Sequence, residues 1–131
     1  MPEPLPQELT VIREDERAVV PFPGGATYKT LIGDDNGADI PIRTGIQTSQ
    51  PGYATRVHSH PYVEVLTVLE GRGEAWLDGE PGTIVMEPGV TISIPAGRVH
   101  GFRGARRPAA RHLWHPHLRQ TYRQHKDPAA S

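Results

Sequence analysis

The sequence contains no cysteine, so disulfide staples, thiolate metal sites and cysteine nucleophiles are all excluded. No window approaches the roughly 18 consecutive apolar residues that a membrane-spanning helix needs. The opening stretch, 1–10, is rich in Pro and Glu and lacks the positive patch and apolar run of a secretory signal, so a cytoplasmic location is expected. Neither sign of charge dominates: 14 Lys and Arg face 15 Asp and Glu, for a net charge of −1, which argues against nucleic acid as an electrostatic partner. Internal repeats and a helix-turn-helix pattern are also missing, and with them any support for a transcription-factor reading.

What remains is a chain of 131 residues, long enough for one real core and too short for two. It holds 14 Gly and 14 Pro, a share well above the roughly 12% of average usage. Turn chemistry this dense, set between Val, Ile and Thr stretches, predicts many short strands and an all-β domain. Strand-like runs fall at 28–32, 40–48, 54–60, 63–69, 74–77, 83–86, 91–94, 99–103 and 111–114. Asp34-Asp35-Asn36-Gly37 and Asp78-Gly79 read as tight turns between them. The expected organisation is a Pro-rich arm over 1–25, with at most one edge strand, a barrel over 26–117, and a polar tail over 118–131 that forms a short helix or frays.

Charge is lopsided along the chain. Eight basic residues lie after Pro88, where Asp127 is the only acid, so that segment carries about +7 and the rest about −8. Either the two halves pack together or across a dimer and cancel, or the Arg-rich stretch serves an anionic ligand.

The chemistry begins at Gly52. His58 and His60 are two apart, so in an extended chain both imidazoles project from one face and converge on one ion. Pro61 interrupts that run. Glu64 then falls on the same face as Leu66 and Val68, the interior face of an alternating strand, where a carboxylate is costly unless paired or bound to metal. Further on, Pro95 ends a strand, Gly97 permits a sharp turn, and His100 opens the next strand toward the same interior. Three imidazoles and one carboxylate suit Fe, Mn, Ni, Co, Cu or Zn better than Mg or Ca.

These residues resemble the two motifs of the cupin superfamily, small barrels of jelly-roll type. The first, G(X)5HXH(X)3-4E(X)6G, is matched by Gly52, His58, His60, Glu64 and Gly71; the second, G(X)5PXG(X)2H(X)3N, by Gly89, Pro95, Gly97 and His100. Nine fixed positions are far more specific than a lone short motif. Gly104 stands where the family usually has Asn, which reads as a change of turn, and Val90 where an Asp commonly follows the first Gly, which reads as a change of turn or strand edge. The resemblance implies a single-domain cupin jelly-roll barrel holding one divalent transition-metal ion on His58, His60, Glu64 and His100.

Around that set, Arg56 shares the interior face with His58 or makes a rim salt bridge; in the first case its guanidinium clamps a substrate carboxylate. Tyr62 and Arg56 are the candidate catalytic residues, Tyr62 through a hydroxyl that moves a proton. Arg56, Leu66 and Phe102 are the candidate substrate contacts, with core packing the alternative for the latter two. Trp76 reads as packing, and His115-Pro116-His117, a second His-x-His pair without a companion carboxylate, as surface or interface.

The resemblance spans enzymes and non-enzymes, and fold and metal set do not choose among them. The favoured expectation is an Fe(II)-type dioxygenase acting on a small enol, diketone or phenolic substrate. A redox-neutral isomerase, lyase or decarboxylase and a metal-stabilised ligand-binding protein are the alternatives. Exposed sheet edges and the arm's Val-Ile and Val-Val pairs suggest a homodimer.

Overall fold

The structure is a computed structural model that describes residues 9–105 and 117–125. A single turn of 3-10 helix at Glu14–Glu16 precedes nine strands: β1 Val20–Phe22, β2 Ala26–Ile32, β3 Ile42–Ser49, β4 Glu64–Glu70, β5 Gly73–Leu77, β6 Ile84–Met86, β7 Thr91–Ile94, β8 His100–Gly104 and β9 Leu118–His125. They form a six-stranded sheet in the order β1-β2-β3-β9-β4-β7 and a three-stranded sheet in the order β6-β5-β8. Every pairing is antiparallel. Among the described residues no helix is long and apolar enough to cross a membrane.

Alternation builds this architecture. In β4 the buried positions are Glu64, Leu66 and Val68, with Val65, Thr67 and Leu69 on the other face. From the facing sheet, Ala75, Met86 and Phe102 meet Val68, and Ala26, Tyr53 and Leu118 complete one buried cluster with Ile92 packed against it. Where two strands must approach closely, glycine makes room: a Cβ on Gly45 of β3 would collide with the ring and hydroxyl of Tyr122, its partner on β9. At the β4–β5 connection Gly71 adopts φ +84°, in the left-handed region that glycine favours, and the backbone of His117 passes directly beside it.

Both expected turns form. The Asn36 side chain accepts from the Gly33 amide (2.9 Å) and donates to the Leu31 carbonyl (2.7 Å), closing the loop between β2 and β3. Asp78-Gly79 joins β5 to β6, with Gly79 at φ +86°. The described part of the basic segment does meet acids from earlier in the chain: Arg119 bridges Glu14 and Glu70, and Arg103 pairs with Glu74.

Three expectations need correction. Residues 54–60 form no regular strand; they run extended beside β8, joined to it by isolated bridges at Ala54↔Arg103 and His58↔His100. Gly104 is the last residue of β8, paired with Gly73, rather than part of a turn. The largest error concerns the expected polar tail over 118–131, and with it the end of the barrel at 117. Residues 118–125 are neither helix nor frayed end but β9, which pairs with β3 along its whole length and with β4 on its other side. β9 was hidden because its interior face reads Leu118, Gln120, Tyr122, Gln124, so the apolar-polar alternation that reveals a half-buried strand is absent. The expected strand at 111–114 and His115 lie outside the described residues.

Candidate metal centre and ligand cavity

Two backbone hydrogen bonds set the centre. The His58 amide donates to the His100 carbonyl (3.1 Å) and the His100 amide to the His58 carbonyl (2.9 Å), so the two residues face each other across the bridge. Their rings lie 4.5 Å apart. His60, two residues on along the extended segment, brings its ring to 5.2 Å from His58 and 4.8 Å from His100. The Pro95–Arg98 turn locks this end: the Gly97 amide donates to the His60 carbonyl at 2.8 Å, and Gly97 has φ +78°. One potential ligand atom from each of the three histidines lies within 4.8 Å of the others.

Protonation favours the same conclusion. The His58 Nδ1–H donates to the Arg56 carbonyl and the His100 Nδ1–H to the Arg98 carbonyl (2.8 Å), the tautomer that places the lone pair of a neutral imidazole on Nε2. Burial pushes the His100 imidazole below its usual pKa, and the His58 and His60 rings add to this, against the opposing pull of the Arg98 carbonyl and Glu64. The Nε2 of His100 and the Nδ1 of His60 are buried without a hydrogen-bond partner. An orphaned buried acceptor of this kind costs about 1–3 kcal/mol, and a divalent ion is the natural acceptor of such lone pairs. The histidines therefore fit a metal.

Glu64 stands beside the cluster. It is 9% exposed, and its Oε1 lies 3.8 Å from His60 Nε2, while the Gln124 side-chain amide donates to its Oε2. The three histidines are thus gathered as expected, and the carboxylate stands next to them held by a residue of β9.

The cluster opens on a cavity of about 670 Å³ that His58, His60 and Glu64 line. Arg56, Tyr62, Leu66 and Phe102 all border it. Arg56 is exposed, at the mouth. Tyr62 stacks on the His60 ring at 4.5 Å with the planes 2° apart, and burial, with Glu64 nearby, raises its phenol pKa, keeping the hydroxyl protonated. Leu66 (3% exposed) and Phe102 (7% exposed) pack in the interior and form part of the cavity wall. Trp76 packs across Gly101, whose missing side chain accommodates the indole.

The wall that sequence reasoning missed is polar. β9 contributes Gln120, Tyr122 and Gln124, and β3 contributes Gln47. Burial raises the pKa of both Tyr53 and Tyr122, so these phenols stay protonated as well. A cross-strand argument could have found these residues: Gln-x-Tyr-x-Gln is the period-2 spacing of a strand whose inner face meets a polar site instead of a core.

Comparison with known proteins places this arrangement. Residues 45–116 match the Cupin domain family. Over 84 residues the chain is 30% identical to an auxin-binding protein of Nicotiana tabacum, a stretch that is 58% of this chain and 45% of that protein; the chain thus spans less than half the length of that relative. The polyketide cyclase RemF from Streptomyces resistomycificus shares the fold with a TM-score of 0.74 at 21% identity, over 92% of this chain and 81% of that one. KdgF from Halomonas sp. does so with a TM-score of 0.71 at 14% identity, over 95% of this chain and all (100%) of the other. With its motif histidines gathered in a jelly-roll barrel and its match covering more than half of its length, the chain belongs to the cupin family.

Proposed function

We propose that the protein is a metal-dependent enzyme, an Fe(II)-type dioxygenase acting on a small enol, diketone or phenolic substrate. One observation carries this reading: three imidazoles, two of them with buried unpartnered nitrogens, converge within 4.8 Å beside a cavity of about 670 Å³. His58, His60 and His100 would hold one divalent first-row ion, with the Glu64 carboxylate as the fourth protein donor. When bound, iron(II) would supply Lewis acidity and a path for the electrons that dioxygen draws from the electron-rich substrate, which is itself what is oxidised.

The chain's own residues prepare the substrate. Leu66 and Phe102 exclude water from the inner cavity, which strengthens every polar contact made there. Arg56 at the mouth is placed to meet a substrate carboxylate or enolate oxygen. Tyr62, a protonated phenol fixed by stacking on His60, offers a proton or hydrogen bond beside the cluster.

A second reading is favoured by the Gln124 contact to Glu64. A carboxylate held by an amide beside the histidines would be able to take a proton from an enolisable substrate, as a redox-neutral isomerase, lyase or decarboxylase requires.

Elemental analysis of the purified protein beside His58→Ala and Glu64→Ala variants tests both. About one first-row metal per chain, lost in His58→Ala, is expected. Oxygen uptake by the iron-loaded protein with enols or catechols supports the dioxygenase, and product formation without oxygen supports the redox-neutral enzyme. Binding with no product leaves a ligand-binding cupin, the role to which the name of the tobacco relative also points. We propose further that the protein acts in the cytoplasm and as a homodimer, contacting its partner through the arm that carries β1.

A further inference from the structure

The floor of the cavity holds a buried polar group that the metal chemistry does not use. Gln120 is 1% exposed, lines the cavity, and its side-chain Oε1 has no hydrogen-bond partner. Its partner on β4 is Val68 and two residues before it on the same face of β9 is the core residue Leu118, while its partner on β3 is Gln47, whose side-chain amide donates to Ser49 rather than to it. An unsatisfied amide oxygen there is destabilising, and leucine at the same position would avoid the cost. A glutamine in such a place calls for a donor that arrives with the ligand.

Register gives the ligand its length. Along β4 and β9 the paired levels run Glu64↔Gln124, Leu66↔Tyr122 and Val68↔Gln120. The first level stands beside the histidines and the third lies four strand residues away, about 13 Å at roughly 3.3 Å per residue. Between them the wall is Leu66 and Tyr122, one apolar and one aromatic side chain.

We propose that Gln120 is a specificity residue that accepts a hydrogen bond from an O–H or N–H group at the far end of the substrate. The substrate is then an elongated, largely aromatic molecule with an oxygen pair at the histidine end and a second donor roughly two rings away. This deepens the reading of the cavity as the substrate site of a metal enzyme and rests on it.

The test uses two probes, 4-phenylcatechol and 4-(4-hydroxyphenyl)catechol, which differ only in the distal hydroxyl. Binding to the zinc-loaded protein, where no turnover intervenes, is followed by calorimetry for the natural sequence and for Gln120→Leu. The distal hydroxyl is expected to tighten binding about tenfold in the natural sequence, as one hydrogen bond to an otherwise unpaired buried acceptor should. In Gln120→Leu the ratio should fall to about one, while the ligand-free variant melts at a higher temperature. Equal binding of the two probes to the natural sequence, a preference that survives in Gln120→Leu, or a lower melting temperature in that variant would each overturn the proposal, the last by showing that Gln120 serves packing. Failure of the metal-enzyme reading shows separately, as phenylcatechol affinity that is the same with and without zinc.

Discussion

β4 and β9 are neighbours in one sheet, paired residue by residue, yet one announces itself in the sequence and the other does not. β4 places Leu66 and Val68 on its inner face behind Glu64 and reads at once as a half-buried strand. β9 places Gln120, Tyr122 and Gln124 there behind Leu118, and reads as a tail. Both faces are buried; they differ in what they are buried against. Hydrophobic alternation reports contact with a core, so a strand that walls a polar cavity falls silent in proportion to its involvement in the site.

The comparison can be broken at its strongest point first. On the β4 and β8 side, His100→Ala should abolish stoichiometric metal binding, read by elemental analysis after loading with Zn(II) or Fe(II), because one of three converging imidazoles is removed. If β9 anchors the fold as firmly as β4 does, then Leu118→Ala should match Val68→Ala or exceed it. Both residues are 2% exposed, and truncation of a buried leucine costs about 2–5 kcal/mol by denaturant unfolding. A loss below that range for Leu118→Ala would mean that β9 is the loosely attached element its sequence suggests.

Two smaller effects sharpen the contrast. Gln124→Leu removes the amide that donates to a buried carboxylate and should destabilise the protein by about 1–3 kcal/mol at neutral pH. Gly45→Ala, which drives a methyl group into Tyr122 and against the Lys29 backbone carbonyl, should also destabilise, and adding Tyr122→Leu should restore only the part of the loss due to Tyr122; fully additive effects would contradict the observed β3–β9 register.

The smallest effect concerns the other sheet. Arg103, and to a lesser degree Thr83, hydrogen-bonds the Glu74 carboxylate and lowers its pKa below the usual 4.5. A carboxylate whose folded pKa is depressed contributes stability that is fully present above its unfolded value and is lost as pH falls through the folded one. Glu74→Gln should therefore flatten the stability profile only below about pH 4.5, with no change in metal content.

Much of the site was legible because its residues sit at fixed short spacings. His58 and His60 needed only the alternation of an extended chain, and Glu64 only the inner face of β4; His100 followed from the turn that Pro95 and Gly97 impose. The bridge between His58 and His100 was not legible, since it joins residues 42 positions apart in segments whose pairing no local pattern encodes. For the same reason the Gln124 contact to Glu64 was missed: it spans 60 positions and depends on the β4–β9 pairing. Arg56 was a matter of orientation. It borders the cavity and is exposed, on a segment that only isolated bridges join to β8.

The placement of the donors across the two sheets has mechanical meaning. His100 belongs to the three-stranded sheet, whereas Glu64 and Gln124 belong to the six-stranded one, and residues 54–60 reach across with His58 and His60. The donor cluster is therefore a seam between the two halves of the barrel. Any breathing of one sheet against the other changes the spacing of the donors, and whatever bridges them acts as a rivet, stiffening the cavity mouth and the barrel in the same act.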